Sequence, residues 1–268
     1  PIETISTNVI GTSKILDALK NSNHKCTAVI ITSDKAYDNI EQIWGYREND
    51  SMGGKDIYSG SKGAAELIIK SYFHSFFKQK KSNVRISVAR AGNVIGGGDW
   101  AKDRIVVDAM RAWSEGSKVE IRSPHSTRPW QHVLEPISGY LRLGQKLYLD
   151  IELNGEAFNF GPKSDQNYSV RKLIHDLSKH WNFDIGDDAY FVTDNIPFHE
   201  AQLLKLNCDK ASVSIDWLAN LDYLDTIKFT SEWYYNFYNN KVDIFNLTLN
   251  QIQEYVSNAK NKKLSWTK

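Results

Sequence analysis

Cysteines and long apolar runs are scarce in this sequence. Among 268 residues there are only 2 cysteines, Cys26 and Cys208. They are too few for a disulfide framework and lack the spacing of metal ligands. We therefore expect a cytoplasmic protein, kept reduced, that binds no metal ion. No apolar run reaches the roughly 18 residues that span a membrane, and no signal peptide is visible, so we expect no membrane partner.

An excess of one charge is lacking as well. The 33 lysines and arginines are balanced by 32 aspartates and glutamates, which leaves a formal net charge of +1. This balance indicates neither a nucleic-acid-binding protein nor one that binds acidic membranes. Hydrophobic residues make up 41% and charged residues 24% of the chain, as in ordinary globular proteins of one large domain or two small ones.

Helical and extended patterns alternate along the first part of the chain. Apolar residues recur at helical spacing over 3–20, and the run Ala28–Ile31 indicates a buried parallel strand over 27–32. A helix over 57–77 and a strand over 84–89 repeat the pattern. The alternation predicts an α/β fold with a Rossmann-like, doubly wound parallel sheet. Beyond it, the sequence predicts helices over 103–115 and 133–149, strands over 119–121, 157–160 and 188–192, and a mostly helical stretch over 222–258.

The segment Tyr58-Ser59-Gly60-Ser61-Lys62 lies near the start of the helix predicted over 57–77. Residues four apart share a helix face, so the phenol and the ammonium should meet. A nearby positive charge lowers the pKa of a tyrosine from about 10, which suits a general acid or base for alcohol–ketone interconversion. The same spacing recurs at Tyr168 and Lys172, so the spacing alone is weak. Only the first copy follows a predicted strand that ends in Ser33-Asp34-Lys35 and is itself followed by another strand.

Polar residues follow the strand predicted over 27–32. They are Thr32-Ser33-Asp34-Lys35, and ligands of open α/β sheets bind outside the carboxyl ends of the strands. The position favours an acid–base site 24 residues ahead of Tyr58. The alternative is an ordinary surface turn with an exposed Asp–Lys pair.

Four segments carry a resemblance to the extended short-chain dehydrogenase/reductase family: TNVIGT, TSDKAY, YSGSK and RAGNVIGGGDW. WGYREND, STRPWQHVLEP and HEAQLLKLN narrow the resemblance to the CDP-glucose 4,6-dehydratases of that family. The discriminating pair is Asp34-Lys35, where the dTDP-glucose and GDP-mannose dehydratases have Asp-Glu. The resemblance runs from residue 1 to about residue 245.

This resemblance implies a hydro-lyase with tightly bound NAD that converts CDP-glucose into a 4-keto-6-deoxy sugar. Tyr58 is expected to take the C4 hydroxyl proton while NAD takes the C4 hydride, with Ser33 bonded to the C4 oxygen. Water is then lost across C5 and C6, and the hydride returns to C6. Asp34, with a pKa raised by burial, is expected to protonate the departing hydroxyl. Lys35 is expected to remove the C5 proton, which requires a neutral amine and a pKa below the usual value of about 10.4.

The resemblance also assigns further site residues. Asn8 is a poor mid-helix residue, and the guanidinium group suits bidentate phosphate binding. Several assignments have a plainer alternative. Asn8 could lie on an exposed helix face, and Asn93 could belong to a glycine-rich turn without a ligand. The two arginines, Arg104 and Arg128, could be isolated surface residues, and His199 and Glu200 could have a structural role. Tyr37 lies either over the ligands or in the core. The expected cofactor-binding residues are Thr32, Asn8, Arg90, Tyr58 and Lys62, and the expected substrate-binding residues are Asn93, Arg104, Arg128, His199 and Glu200.

The dinucleotide fingerprint G-x-G-x-x-G is missing from the sequence. The family carries this phosphate-binding turn in the first half of its cofactor domain, and the chain opens on Pro1-Ile2-Glu3-Thr4 with no strand before it. We therefore expect an N-terminally truncated fragment that binds NAD weakly. Residues 1–100 would be the C-terminal half of the Rossmann-like NAD-binding domain. Residues 101–268 would form a smaller mixed α/β substrate domain, with about 123–150 returning to the first.

Two further expectations follow from the resemblance. One is a homodimer through the helices at 3–20 and 57–77, where Gly60 and Gly63 would allow close packing. The other concerns rival functions: another sugar-nucleotide dehydratase or epimerase of the family, or a nonfunctional remnant that only binds nucleotide-sugar.

Overall fold

The computed structural model describes residues 1–79, 82–181, 189–193, 203–240 and 242–267. Within these ranges the predicted alternation of helices and strands is present. The helices are α1 (Ile2–Ile5), α2 (Gly11–Lys20), α3 (Ile57–Tyr72), α4 (Ile105–Ser114), α5 (Leu134–Leu149), α6 (Val170–Ser178), α7 (Asp209–Ile215), α8 (Tyr223–Asn239) and α9 (Ile244–Asn261). The strands are β1 (Cys26–Ile31), β2 (Val84–Ala91), β3 (Val94–Ile95), β4 (Val119–Ile121), β5 (Thr127–Arg128), β6 (Gln131–His132), β7 (Ala157–Phe160), β8 (Tyr168–Ser169) and β9 (Tyr190–Val192).

The chain divides into two compact units. The first comprises Pro1–Gly92, Pro136–Gly161 and Lys205–Leu218, and the second comprises Asn93–Glu135, Pro162–Leu204 and Ala219–Lys268. The sequence did not indicate that 205–218 joins the first unit. The assignment of one unit to the cofactor and the other to the sugar stays a prediction.

A parallel three-stranded sheet with the order β1-β2-β7 forms the centre of the first unit. Ile30 pairs with Val88, and Ala89 pairs with Phe158. Parallel strands need a long crossover connection, which α3 supplies between β1 and β2. The parallel α/β class predicted from the sequence is thus confirmed.

Helices cover both faces of this sheet because successive side chains of a strand point to opposite sides. Ile86 and Val88 of β2 pack with Leu16 of α2 and Ile69 of α3. Arg85 precedes Ile86 and so points to the opposite face, where it donates from Nη1 to the carbonyl oxygen of Leu147 on α5. The doubly wound arrangement follows from this alternation.

The helix predicted over 3–20 is interrupted by a π-helical turn, Ser6–Ile10. Such a turn leaves backbone carbonyls that need other donors. The hydroxyl of Thr12 donates to the carbonyl of Asn8 at 2.7 Å, and that of Ser13 donates to the carbonyl of Val9 at 2.8 Å. A second π-helical turn, Phe73–Phe77, extends α3 to the predicted end at residue 77.

The second unit has its own core, and it is rich in aromatic residues. Trp113, Trp130 and Trp233 are buried with residues of α4, α6 and α8. In the described part of this unit the strands form three pairs: β3 with β6 and β4 with β9 in parallel, and β5 with β8 antiparallel. Four of these strands have two residues each, too short for periodicity to reveal. The strand predicted over 188–192 is observed as β9, and residue 188 lies outside the described residues.

None of the helices in the described ranges is long and apolar enough to cross a membrane. Over the same residues, no three or more His, Cys, Asp and Glu side chains are grouped as ligands of a metal ion.

Candidate active site

The turn after β1 buries its acidic residue. Asp34–Ala36 form a 3-10 turn, and Ser33 caps it by accepting a hydrogen bond from the Lys35 backbone N–H at 3.2 Å. The Ser33 hydroxyl donates to Oδ1 of Asp34 at 3.0 Å. Asp34 is 3% exposed, so the burial expected of the proton donor is present, whereas Lys35 is only partly buried.

The end of β2 lies directly against this carboxyl group. A Cβ atom placed on Gly92 would overlap with Oδ2 of Asp34. Glycine is therefore needed at this position, the first glycine of the sequence RAGNVIGGGDW. The carboxyl ends of β1 and β2 thus meet at Asp34, as the sheet topology predicts.

The phenol of Tyr58 and the ammonium of Lys62 lie on one face of α3. Asp56 caps the helix by accepting the Ser59 N–H at 2.9 Å, and Lys62 Nζ lies 5.6 Å from the centre of the Tyr58 ring. Tyr58 is 44% exposed, while burial lowers the pKa of Lys62. The predicted shared face is confirmed, and the catalytic role of the pair stays a prediction.

The second copy of the spacing shows why proximity alone does not define a site. Lys172 Nζ lies 5.7 Å from the Tyr168 ring, almost the distance found in the first copy. Here the ammonium is paired with Asp176 at 2.9 Å, and the Tyr168 ring stacks on Tyr223 at 3.8 Å between ring centres. These partners give the second copy a structural role.

Close packing joins α3 to the turn. A Cβ atom on Gly63 would lie 3.2 Å from the carbonyl oxygen of Gly53 and 3.3 Å from that of Ala36. The interpretation of Gly63 as a residue of the dimer interface was therefore wrong, because its close contact is made inside the first unit. This contact holds the helix that carries Tyr58 against the turn that carries Asp34.

Asn8 reaches the tyrosine helix from the π-helical turn. Its Nδ2 donates to Ser61 Oγ at 2.9 Å, and that hydroxyl donates to the carbonyl oxygen of Tyr58 at 2.7 Å. An exposed helix face does not describe this residue. The chain of two hydrogen bonds ends at the backbone of the candidate acid–base residue.

Thr32 and Arg90, expected to bind the cofactor, take part in a network inside the protein. Thr32 Oγ1 donates to Glu66 Oε1 at 2.5 Å, and Arg90 Nε donates to the same oxygen at 2.8 Å. Arg90 is 3% exposed. Tyr37 is a core residue, 1% exposed, and donates to Asn159 Oδ1 at 2.8 Å.

Sequence reasoning gave Glu66 no role. Glu66 lies four residues after Lys62 and eight after Tyr58, on the same helix face. An acidic residue within the apolar run AAELII was the signal that could have found it, because an unpaired carboxylate is rarely buried.

The expected substrate residues belong to the second unit where they are described. Asn93 has a left-handed backbone with φ of 25°, and its buried Nδ2 has no hydrogen-bond partner within the described ranges. Arg128 is buried and donates to the carbonyl of Thr127 at 2.9 Å. Arg104 is exposed at the start of α4. The remaining two, His199 and Glu200, lie outside the described residues.

Comparison with known proteins places the chain in a family. The family model described as GDP-mannose 4,6 dehydratase matches residues 1–229. The chain belongs to the GDP-mannose 4,6 dehydratase family.

Individual relatives and solved structures agree with this family. The CDP-glucose 4,6-dehydratase of Salmonella typhimurium is 45% identical over 239 residues, which are 87% of this chain and 65% of that protein. A crystal structure of dTDP-glucose 4,6-dehydratase from Bacillus anthracis in complex with NAD has a TM-score of 0.69 at 19% identity, covering 86% of this chain and 68% of that one. The UDP-glucuronic acid 4-epimerase of Bacillus cereus, in complex with UDP-glucuronic acid and NAD, has a TM-score of 0.72 at 18% identity, covering 87% and 68%. At these identities the two structures establish the fold.

Proposed function

We propose that the chain carries the acid–base half of a CDP-glucose 4,6-dehydratase, which converts CDP-glucose into CDP-4-keto-6-deoxyglucose. The observation that carries the proposal is the meeting of buried Asp34, neighbouring Lys35 and the Tyr58 helix within one unit. The 45% identity to the CDP-glucose 4,6-dehydratase of Salmonella typhimurium supports the choice of substrate. The chain spans 65% of that relative, so the activity is proposed for the protein to which these residues belong.

Tyr58 is the proposed acid–base residue for the C4 hydroxyl. Its phenol is half exposed at the amino end of α3, where a ligand outside the strand ends can reach it. The Lys62 ammonium lies 5.6 Å from the centre of the Tyr58 ring on the same helix face. Ser33 supplies a hydroxyl on the turn facing the same helix.

The proposed cofactor is NAD, and the donor set fits its nicotinamide end. Within the described part of the chain, Lys62 has no ion-pair partner, so its three N–H donors can bind ribose hydroxyls. When bound, NAD supplies the acceptor for the C4 hydride and returns that hydride to C6. Asn8 supports Tyr58 from behind through Ser61.

Asp34 and Lys35 are the proposed acid and base of the elimination. Burial favours the protonated form of a carboxyl group, as a proton donor to the C6 hydroxyl requires. The positive charge of Lys35 also acts on Asp56. Burial alone would raise the pKa of Asp56, but hydrogen bonds from Ser59 and the charge of Lys35 lower it below its usual value. Lys35 therefore acts near the start of α3, where Asp56 caps the helix and Tyr58 follows.

We also propose that the protein is a homodimer, that CDP-glucose is its partner molecule, and that it works in the cytoplasm. Exposed apolar side chains on the packed pair α2 and α3 support the dimer: Ile15, Leu67 and Phe76. These residues lie within 3–20 and 57–77, the two helical segments through which the sequence predicted a dimer.

The function is tested by incubating the protein to which these residues belong with NAD and, in separate reactions, CDP-, dTDP-, UDP- or GDP-glucose. We expect mass spectrometry to show a product lighter by one water from CDP-glucose alone. A product of unchanged mass would indicate an epimerase, and dehydration of another nucleotide-glucose in preference would contradict the proposed substrate.

A further inference from the structure

A buried ion pair connects α3 to β2 beneath the candidate site. Arg90 Nε lies 2.8 Å from Glu66 Oε1, and Arg90 Nη2 lies 3.0 Å from Glu66 Oε2. Glu66 and Arg90 are 6% and 3% exposed. Two parallel N–H···O bonds fix the guanidinium and the carboxylate in one plane, and the loss of either partner would leave a buried charge alone.

The carboxylate of this pair holds the residue that enters the turn. Thr32 Oγ1 donates to Glu66 Oε1 at 2.5 Å. The backbone N–H of Thr32 donates to the carbonyl oxygen of Ala89 at 2.8 Å, as the last bond of the strand ladder. Thr32 is therefore held by both its side chain and its backbone immediately before Ser33.

The guanidinium of the pair holds the residue that leaves the turn. Arg90 Nη1 donates to the Tyr37 hydroxyl at 2.6 Å and to the carbonyl oxygen of Glu48 at 3.0 Å. The Tyr37 hydroxyl donates in turn to Asn159 Oδ1 at 2.8 Å. Burial raises the pKa of this phenol well above its usual value, so it keeps the proton that this bond uses.

One ion pair thus contacts both Thr32 and Tyr37, the residues on either side of Ser33–Ala36. Four of the five N–H donors of Arg90 are committed to protein atoms: Nε, both of Nη1 and one of Nη2. Arg90 therefore bonds to protein atoms, whereas the sequence led us to expect a bond to the cofactor. Fixing both ends of so short a turn leaves the backbone that carries its three polar side chains little freedom.

We propose that Glu66 and Arg90 are positioning residues that hold Ser33, Asp34 and Lys35 in their reactive arrangement through Thr32 and Tyr37. What the turn does chemically rests on the proposed function, whereas its positioning by the ion pair does not. Neither residue is assigned a contact with substrate.

Amide hydrogen exchange tests the positioning without any substrate. The amides of Lys35, Ala36 and Tyr37 are bonded inside the turn, so they exchange when it opens. In Thr32→Val we expect these amides to exchange about tenfold faster, the effect of one lost bond to a charged group, while the amides of β1 are unchanged. Thr32→Ser, which keeps the hydroxyl, should restore slow exchange. Tyr37→Phe is a second variant: it removes the hydroxyl that bonds to Arg90 and so releases the other end of the turn.

Ser87→Ala is the matched control, because it removes a buried hydroxyl bonded to the Glu156 carbonyl at 2.6 Å on the same sheet. Unchanged exchange of the turn in both Thr32→Val and Tyr37→Phe would overturn the proposal, as would equal acceleration in Ser87→Ala. In turnover assays, kcat of Thr32→Val should fall with KM unchanged, and Thr32→Ser should recover it. If the protein to which these residues belong dehydrates no nucleotide-sugar, the proposed function is contradicted and the exchange result still stands.

Discussion

Asn8 and Ser61 are joined by a hydrogen bond of 2.9 Å from Nδ2 to Oγ, between residues 53 positions apart. The bond links the π-helical turn of the first helix to the helix of Tyr58. The Ser61 hydroxyl in turn donates a hydrogen bond to the carbonyl oxygen of Tyr58. The position of the candidate acid–base residue therefore depends on an amide side chain from another helix.

Asn8→Ala should loosen the start of α3. We expect the free energy of unfolding to fall by about 1 kcal/mol, because one partly buried hydrogen bond is lost and Ser61 keeps its bond to the backbone. Urea unfolding measures this change. Asn21→Ala is the control, since the Asn21 amide makes only an exposed bond of 3.5 Å to Asp17. If Asn8→Ala and Asn21→Ala lower the free energy of unfolding equally, the bond from Asn8 to Ser61 stabilises the protein no more than an exposed bond does.

Tyr58→Phe should lower turnover of CDP-glucose by at least about 100-fold, the contribution of a positioned general acid–base group. Tyr168→Phe is matched to it, because Tyr168 has the same four-residue spacing to a lysine and nearly the same distance from that lysine to its ring, 5.7 Å against 5.6 Å. We expect the control to keep its turnover. Rates measured by product mass at saturating NAD compare the two. If Tyr58→Phe keeps full turnover, Tyr58 is not the acid–base residue of the reaction.

Gly92→Ala should displace the buried carboxyl of Asp34. The added Cβ has no room beside Oδ2, and an overpacked site costs about 1–3 kcal/mol. We expect a lower thermal midpoint and lost turnover. Gly11→Ala is the control, because its Cβ would meet only the Ser6 carbonyl oxygen at 3.8 Å, and alanine favours a helix by up to about 1 kcal/mol. A thermal midpoint for Gly92→Ala equal to that of the unsubstituted chain would contradict the close packing of Gly92 against Asp34.

The buried His132 should make stability depend on pH. Burial lowers the pKa of His132 from 6.5 to about 4, so between these values the unfolded chain binds a proton that the folded chain does not. Stability should therefore fall as the pH is lowered from 6.5 to 4, by about 3 kcal/mol at roughly 1.4 kcal/mol per pKa unit. Urea unfolding of the unsubstituted chain and of His132→Phe over this range isolates the contribution. An NMR titration in which His132 protonates near pH 6.5 would refute it.

Leu67→Glu should separate the proposed dimer. Leu67 is 57% exposed on α3, and a charge buried at an interface without a partner is strongly unfavourable. Sedimentation velocity should show monomers of the variant at concentrations where the unsubstituted chain is dimeric. Leu149→Glu, on the exposed part of α5, is the control and should remain a dimer. A dimer that survives Leu67→Glu would exclude this face.

Much of the first unit could be predicted because its signals are local. The β-branched run before Thr32 predicts β1, and the four-residue spacing of Tyr58 and Lys62 predicts their shared face whatever surrounds α3. The π-helical turn at Ser6–Ile10 could not be predicted, because it depends on hydroxyls that reach back to carbonyls and the same hydroxyls are common in regular helices. The two-residue strands of the second unit carry no period at all.

The sequence by itself determined the alternation of helix and strand, the acid–amine pair after β1 and the tyrosine–lysine face, since each rests on residues close together in the chain. Only the tertiary structure decided that Arg90 pairs with Glu66 and that Gly63 packs against the turn. It also decided that Lys172 has an acidic partner, Asp176, whereas Lys62 has none among the described residues. Arginine has the same five donors in every setting. Whether these donors meet a ligand or a buried carboxylate depends on which distant side chain the sheet and its helices bring to them.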